Sequence, residues 1–459
     1  MEKIFNKNIL VYGTGISGIA AVRALNKLGN KIFIYDDNKS LNEIKKIDGI
    51  KNINYKFFSE IDEDLLNRVD ILVKSPSISL DSTVIKKAKS LNIPVYSDIE
   101  LAYRISDKDL IVITGTNGKT TTTSLIHKIL NDFSIKAGIT GNIGSGILED
   151  VLNKKYEILV VEASSYQLSS IELFKPKISV ITNITPDHLN WHGNLDNYIN
   201  AKLNIFKNQD SEDYAILNYD DDNIRKNLAK IKANIIFFST KNKLDRGIFI
   251  ENNKIFIKLN NNEEVIEIDE IKIPGNHNIE NVMASIGVAK VLDIPITQFK
   301  KTITNFTGVE HRLEYINSSV KSVSFYNDSK GTNPESTKKA IDALKNNIII
   351  ILGGYNKNSS FDDLADYFPE SVKHAVILGE TKYNIKKSLD KIQFSDYTIV
   401  DNLEEAVNKA FEISKKNDKI LLSPACASWD MYGSFEERGR HFKEIIKKLE
   451  KEVNNEKKQ

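Results

Sequence analysis

At 459 residues the chain is too long for one compact core, and two to four domains are expected. Hydrophobic residues make up 41% and charged residues 27%, an ordinary globular composition. The 63 Lys plus Arg against 62 Asp plus Glu give no basis for nucleic acid or an acidic membrane as partner. The single cysteine, Cys426, excludes an intrachain disulfide and is compatible with a reducing compartment.

The apolar run from Ile9 to Gly13 is strand length and ends in a glycine turn, unlike a signal peptide. No apolar stretch is long enough to span a bilayer, so a cytoplasmic location is expected. Asn8 to Tyr12 reads as a strand. Ala20, Ala21, Ala24, Leu25 and Leu28 recur at helical spacing, and Lys31 to Tyr35 completes a βαβ unit. Gly13-x-Gly15-x-x-Gly18 lies in its first turn, and Asp36 ends the second strand, where a ribose-binding acid belongs. This fingerprint requires only a diphosphate on a helix N-terminus. NAD and a UDP-linked ligand satisfy it equally, and a tight turn without ligand is the plainer alternative.

Leu110 to Thr114 opens a second series. It leads into Gly115-Thr116-Asn117-Gly118-Lys119-Thr120-Thr121 and a helix from about Thr120 to Leu130. Glycines let backbone N–H groups converge on phosphate oxygens, and the helix N-terminus adds partial positive charge. Lys119 is suited to the outer phosphates and the Thr120 hydroxyl to Mg²⁺, although the loop is two residues shorter than GxxxxGK[ST]. Glu162 follows the strand Ile158 to Val161, and His188 follows Ile178 to Ile181. A carboxylate and an imidazole thus end two strands of the same sheet and suit Mg²⁺ beside phosphates; apart from the loop, each would read as a partnered structural group.

From about Arg246 to Ile273, short alternating runs separated by Asn-Asn pairs indicate antiparallel hairpins. A third α/β series has strands at about Ser322 to Tyr326, Ile348 to Leu352, Ala375 to Leu378 and Lys419 to Leu422. The tail from Lys447 to Gln459 reads as a solvated, fraying helix end. The expected fold is α/β in three domains, each on a mostly parallel sheet with flanking helices. They are a Rossmann-like domain at 1–97, a P-loop-type domain at 98–308 and a second Rossmann-like domain at 309–459.

Several motifs occur together and in order: Thr114-Gly-Thr-Asn-Gly-Lys-Thr, Glu162-x-Ser-Ser-x-Gln-Leu, Asn183-x-Thr-x-Asp-His188, His311-Arg312 and Asp328-Ser-Lys330-x-Thr332-Asn333-Pro. This set resembles the Mur ligase family, which includes the folylpolyglutamate synthases, over nearly the whole chain. The Asp328 segment, Ser423-Pro-Ala-Cys-Ala-Ser428 and Phe435-Glu-x-Arg-Gly439 look like those of the member that adds D-glutamate to UDP-N-acetylmuramoyl-L-alanine.

The resemblance implies that ATP phosphorylates a substrate carboxylate and that an amine attacks the acyl phosphate. Gly115 to Thr121 would cradle ATP, Thr120 would hold the ATP metal, and Glu162 with His188 would hold a second Mg²⁺. Lys202, in Tyr198-Ile-Asn-Ala201-Lys202, matches a lysine that the family carbamylates. Asn281 matches an adenine contact. Arg312 and Asp328 match contacts to the ATP phosphates and ribose from the C-terminal domain, so that two domains close on one nucleotide. Ile16, Ser17, Asp36 and Asn142 fall to the UDP substrate. Lys330, Thr332, Lys357, Ser428 and Phe435 fall to D-glutamate, whose two carboxylates call for cations and hydroxyls. A monomer is expected.

Two departures touch the UDP side. The family's Ser-Pro-Gly turn reads Ser75-Pro76-Ser77, where serine takes positive φ less freely, and Asp-Thr-Arg reads Asp36-Asp37-Asn38. Another Mur or folylpolyglutamate ligase, an NAD-dependent oxidoreductase and an ATP-binding regulatory protein are the rival readings. The oxidoreductase leaves the Gly115 to His188 set unexplained.

Overall fold

The computed structural model describes residues 4–37, 55–58, 61–143, 146–316, 320, 322–355 and 360–456. The chain divides into two compact units. One comprises residues 1–268 and 280–303, and the other residues 269–279 and 304–459.

The first unit contains two sheets. The N-terminal sheet is all parallel, in the order Tyr55–Phe58, Lys31–Tyr35, Asn8–Tyr12, Ile71–Lys74, Val95–Ser97. The larger sheet has nine strands. Asp109–Thr114 lies between Ile158–Glu162 and Ile178–Ile181 and is parallel to both, with Ile113 beside Glu162 and Thr114 beside Ile181. The central apolar run Leu110 to Ile113 is buried throughout, as a strand covered by helices on both faces must be. Gly247–Glu251, Lys254–Lys258 and Asn262–Glu267 form the expected antiparallel edge.

The two sheets of this unit share one core. Val11, Ala24 and Ile34 cluster with Ile99, Leu101, Leu148, Leu159 and Val161. The connecting helix Asp98–Ile105 is pinned through Glu100, whose carboxylate accepts from the backbone N–H groups of Glu172, Leu173 and Phe174 and from Arg104 Nε at 2.7 Å. That shared packing makes one compact unit of residues that the sequence divides at 97.

The second unit is built on six strands, ordered Glu314–Ile316, Ser324–Asn327, Lys419–Leu422, Ile348–Gly353, Val372–Leu378, Tyr397–Ile399. All pairs are parallel except the first. The tail from Lys447 is the end of a helix, with Lys447, Lys448, Lys451 and Glu452 exposed, and the same helix carries a buried apolar stripe. The helix runs Phe435–Glu456, and Phe442, Ile445, Ile446 and Leu449 are buried in the core, with Val453 packed against them. Apolar residues at three- and four-residue spacing form a buried stripe that the surrounding charges hide from a reading of composition. Among the described residues, no helix is long and apolar enough to cross a membrane.

Candidate active site

The phosphate loop is held by the segment that follows the strand Ile178–Ile181. Thr116 N donates to Asn183 O at 2.9 Å, and Asn117 N to Asn183 Oδ1 at 2.9 Å. Thr182 Oγ1 donates to Asn117 O at 2.5 Å, and Thr116 Oγ1 exchanges hydrogen bonds with the Thr185 backbone. Two glycines are required by geometry. A Cβ on Gly115, at φ +150°, would lie 2.0 Å from Thr182 Oγ1; one on Gly118, at φ +83°, would lie 2.2 Å from Asn281 Oδ1. Gly118 caps the helix Lys119–Asp132 without a side-chain hydrogen bond, which leaves the N-terminus with only its own N–H groups to offer an anion. Thr120 is buried in the first turn, Thr121 is half-buried, and Asn281 is buried with Oδ1 accepting from Thr122 Oγ1.

Two lysines converge on this turn. Lys119 Nζ donates to Gly115 O and Thr116 O, and Lys202 Nζ donates to Gly115 O at 2.7 Å. Lys202 is 2% exposed. Burial, and then the adjacent Lys119 charge, push its amine well below the usual lysine range. Its Nζ lies 4.6 Å from the Tyr198 ring centroid, and the Tyr198 hydroxyl shares a 3.0 Å hydrogen bond with Thr116 Oγ1.

His188 is exposed, adopts φ +51° and begins the short helix Leu189–His192. Its ring meets Tyr198 edge-on at 6.5 Å, which joins it to the phosphate loop through one aromatic side chain, and it lies 5.2 Å from the Tyr166 ring. Glu162 is buried at the end of the neighbouring strand. Its Oε1 accepts from Asn142 Nδ2 at 3.1 Å, whereas Oε2 is buried with no hydrogen-bond partner among the described residues. An unpartnered carboxylate oxygen at a strand end beside the loop fits a divalent cation. The described residues hold no cluster of three His, Cys, Asp or Glu, so phosphate oxygens or a modified side chain would complete its coordination.

Asn142 therefore sits against Glu162, to whose backbone O it also donates at 2.8 Å. The other residues assigned to the UDP substrate lie around the N-terminal sheet, Ile16 and Ser17 at the start of the helix Ile16–Lys27 and Asp36 just after the strand Lys31–Tyr35. Asp36 Oδ2 accepts from Thr14 N and Thr14 Oγ1, both at 2.6 Å, so its carboxylate organises the glycine turn. Ser17 is half-buried and hydrogen-bonds Asp98, a carboxyl that burial pushes up and that Gln167 Nε2 also contacts. Ile16 opens the helix Ile16–Lys27, and its side chain lies outside the described residues. Ser77 does not adopt positive φ, so the missing glycine carries no backbone penalty there. Asp37 accepts from the Tyr12 and Tyr35 hydroxyls, and Asn38 lies outside the described residues.

In the second unit, Asp328 is buried. Its Oδ2 accepts from Ser423 Oγ at 2.7 Å and its Oδ1 from Leu313 N at 3.1 Å. Burial raises its carboxyl to about 7. Arg312 is exposed; Lys330 is exposed with Nζ 5.9 Å from the Phe435 ring centroid. Thr332 is half-buried, and Ser428 is buried with its carbonyl accepting from Met431 N and Tyr432 N. Lys357 lies outside the described residues.

The sequence motifs contained Arg438 without a role. It is buried in the helix Phe435–Glu456 and donates to Ser329 Oγ and O, Cys426 O and Ala427 O, tying two loops to that helix. Tyr198 and Ser165 likewise sat inside quoted motifs unassigned. His192 had no signal beyond its spacing of four from His188.

Known proteins match along the chain. Residues 7–97 match the Mur ligase MurD-like N-terminal domain, 113–289 the Mur ligase middle domain, and 311–426 the Mur ligase glutamate ligase domain. The UDP-N-acetylmuramoylalanine–D-glutamate ligase of Alkaliphilus oremlandii is 42% identical over 96% of this chain and 98% of its own. The ligase of the same name from Clostridioides difficile is 42% identical over 96% and 99%. Among solved structures, the UDP-N-acetylmuramate–alanine ligase of Thermotoga maritima shares the fold, with a TM-score of 0.58 at 18% identity, over 96% of this chain and 99% of its own. The chain belongs to the Mur ligase family.

Proposed function

We propose that this Mur ligase joins D-glutamate to UDP-N-acetylmuramoyl-L-alanine, forming an amide with cleavage of ATP to ADP and phosphate in peptidoglycan precursor synthesis. The name carried by its full-length relatives supports this substrate pair. A cytoplasmic location goes with the reading, as do the domain limits 1–97, 98–308 and 309–459.

The observation that carries the chemistry is Glu162 Oε2, buried without a hydrogen-bond partner among the described residues, beside a loop that two lysines face. A carboxylate oxygen of the UDP substrate attacks the γ-phosphorus, and ADP leaves. The amine of D-glutamate then adds to the acyl carbon, the tetrahedral intermediate expels phosphate, and the nitrogen loses a proton. Gly115 to Thr121 hold the triphosphate through backbone N–H groups and Lys119. Thr120 would hold one Mg²⁺, and Glu162 with His188 a second. Bound there, the metal would relieve the repulsion between the substrate carboxylate and the γ-phosphate. Lys202, whose amine burial and the Lys119 charge push toward the neutral form, is suited to attack CO₂, and its carbamate would add an anionic ligand. Asn281, Arg312 and Asp328 are assigned to the nucleotide, and Ile16, Ser17, Asp36 and Asn142 to the UDP substrate. Lys330, Thr332, Lys357, Ser428 and Phe435 are assigned to D-glutamate.

Incubation with ATP, Mg²⁺ and UDP-N-acetylmuramoyl-L-alanine carrying ¹⁸O in its carboxylate tests the reading. D-glutamate should release phosphate containing one ¹⁸O, and L-glutamate should not support release. Phosphate without acceptor dependence, or without label, would overturn it.

A further inference from the structure

His192 is one turn beyond His188 on the same short helix, yet it faces a different element. Its ring is 7% exposed, and Nε2 lies 3.0 Å from Ser165 Oγ. Ser165 is 2% exposed and is the third residue after Glu162, at the start of the helix Ser165–Leu168. The imidazole stacks on Tyr166 at 5.7 Å with an 18° tilt and meets Tyr198 edge-on at 5.2 Å. Asn197 Nδ2 holds the His192 carbonyl at 2.8 Å. The contact therefore crosses between the two strand-end segments that carry Glu162 and His188. A nitrogen engaged by a buried hydroxyl is not placed to be a metal ligand itself.

We infer that His192 is a positioning residue: its hydrogen bond to Ser165 sets the spacing between the Glu162 and His188 segments, and with it the affinity for a divalent cation. The inference rests on the proposed role of Glu162 and His188. The two connections follow strands that flank Asp109–Thr114 on opposite sides, so no backbone ladder between those strands joins them. A single buried side-chain hydrogen bond is therefore the kind of contact that fixes their separation, and outer contacts of this type typically change metal affinity by about 10–100-fold.

The test is Mn²⁺ binding, followed by electron paramagnetic resonance, to the full chain saturated with the non-hydrolysable analogue β,γ-imido-ATP. His192→Phe keeps the aromatic packing and removes the hydrogen bond. Ser165→Ala removes one oxygen. Each should weaken one of two bound Mn²⁺ ions by about tenfold or more, leaving affinity for the analogue unchanged. The double variant should be no worse than either single one, and His192→Gln, whose amide reaches near the Nε2 position, should recover part of the loss. If Ser165→Ala binds both ions as tightly as the native chain, the inference fails; this variant decides alone should His192→Phe not fold. Glu162→Gln separates the two levels. If it too retains both ions, the role given to Glu162 is wrong; if it loses one while Ser165→Ala does not, only the role given to His192 is wrong.

Discussion

Replacing Gly118 by alanine strains the phosphate loop in two separable ways. The backbone at φ +83° lies in the left-handed region, which costs a residue bearing a Cβ about 1–2 kcal/mol. The new Cβ would stand 2.2 Å from Asn281 Oδ1, so that buried amide must shift and its hydrogen bond to Thr122 Oγ1 at 3.1 Å breaks. Overpacking and the lost bond add about 1–3 kcal/mol. The sum is about 2–5 kcal/mol, and at about 1.4 kcal/mol per tenfold, ATP affinity falls by roughly 30-fold to several thousand-fold if the native loop is the binding form. Isothermal titration with ATP·Mg²⁺ reads this loss. Thermal unfolding of Gly118→Ala, Asn281→Ala and the double variant then apportions it. Truncating Asn281 relieves the clash but not the backbone strain, so the double variant should be less destabilised than the sum of the singles, by about 1–2 kcal/mol. Native-like ATP affinity in Gly118→Ala, or strict additivity in the double variant, would refute the reasoning.

Asp328 gives a pH dependence of stability. Its carboxyl is raised by burial from 3.8 to about 7, so the native state holds its proton more tightly than the unfolded chain. Its contribution is complete below about pH 4 and is lost as pH rises through about 7, on the order of 4 kcal/mol in all. Asp328→Asn should flatten the fall in melting temperature over that window, and an unchanged slope would count against it. Glu100→Ala leaves the N–H groups of Glu172, Leu173 and Phe174 without their acceptor and should cost more than about 3 kcal/mol in urea denaturation; less than 1 kcal/mol would show that water replaces it. Incubation with ¹³CO₂ should give a carbamate NMR signal that is absent from Lys202→Ala, and a signal retained in that variant would place the modification elsewhere.

The alternation of strands and helices was readable because buried parallel strands are short apolar runs and the glycine turns between them are conspicuous. The residues that hold the loop were not. Asn183 and Thr185 belong to a motif about 65 residues from the loop, and only the pairing of neighbouring strands brings their polar atoms onto Thr116 and Asn117. Asn142, expected on the UDP side, lies against Glu162 because Ala137–Gly141 is the strand next to Ile158–Glu162. The helical stripe beneath the C-terminal charges went unread because charge dominated composition where periodicity carried the information.

Local chemistry, then, was set by sequence alone: which turns need glycine, where Lys119 and Thr120 meet a helix N-terminus, and which strands end in Glu162 and His188. Tertiary structure decided which of those groups are spent on one another. Asp36 is engaged with Thr14, and Glu162 retains one buried oxygen without a hydrogen-bond partner among the described residues. Lys202 is driven toward its neutral form beneath the loop. Burial and hydrogen bonding are sums over neighbours far away in the chain, and they, more than residue identity, determine the charge and freedom of a functional group.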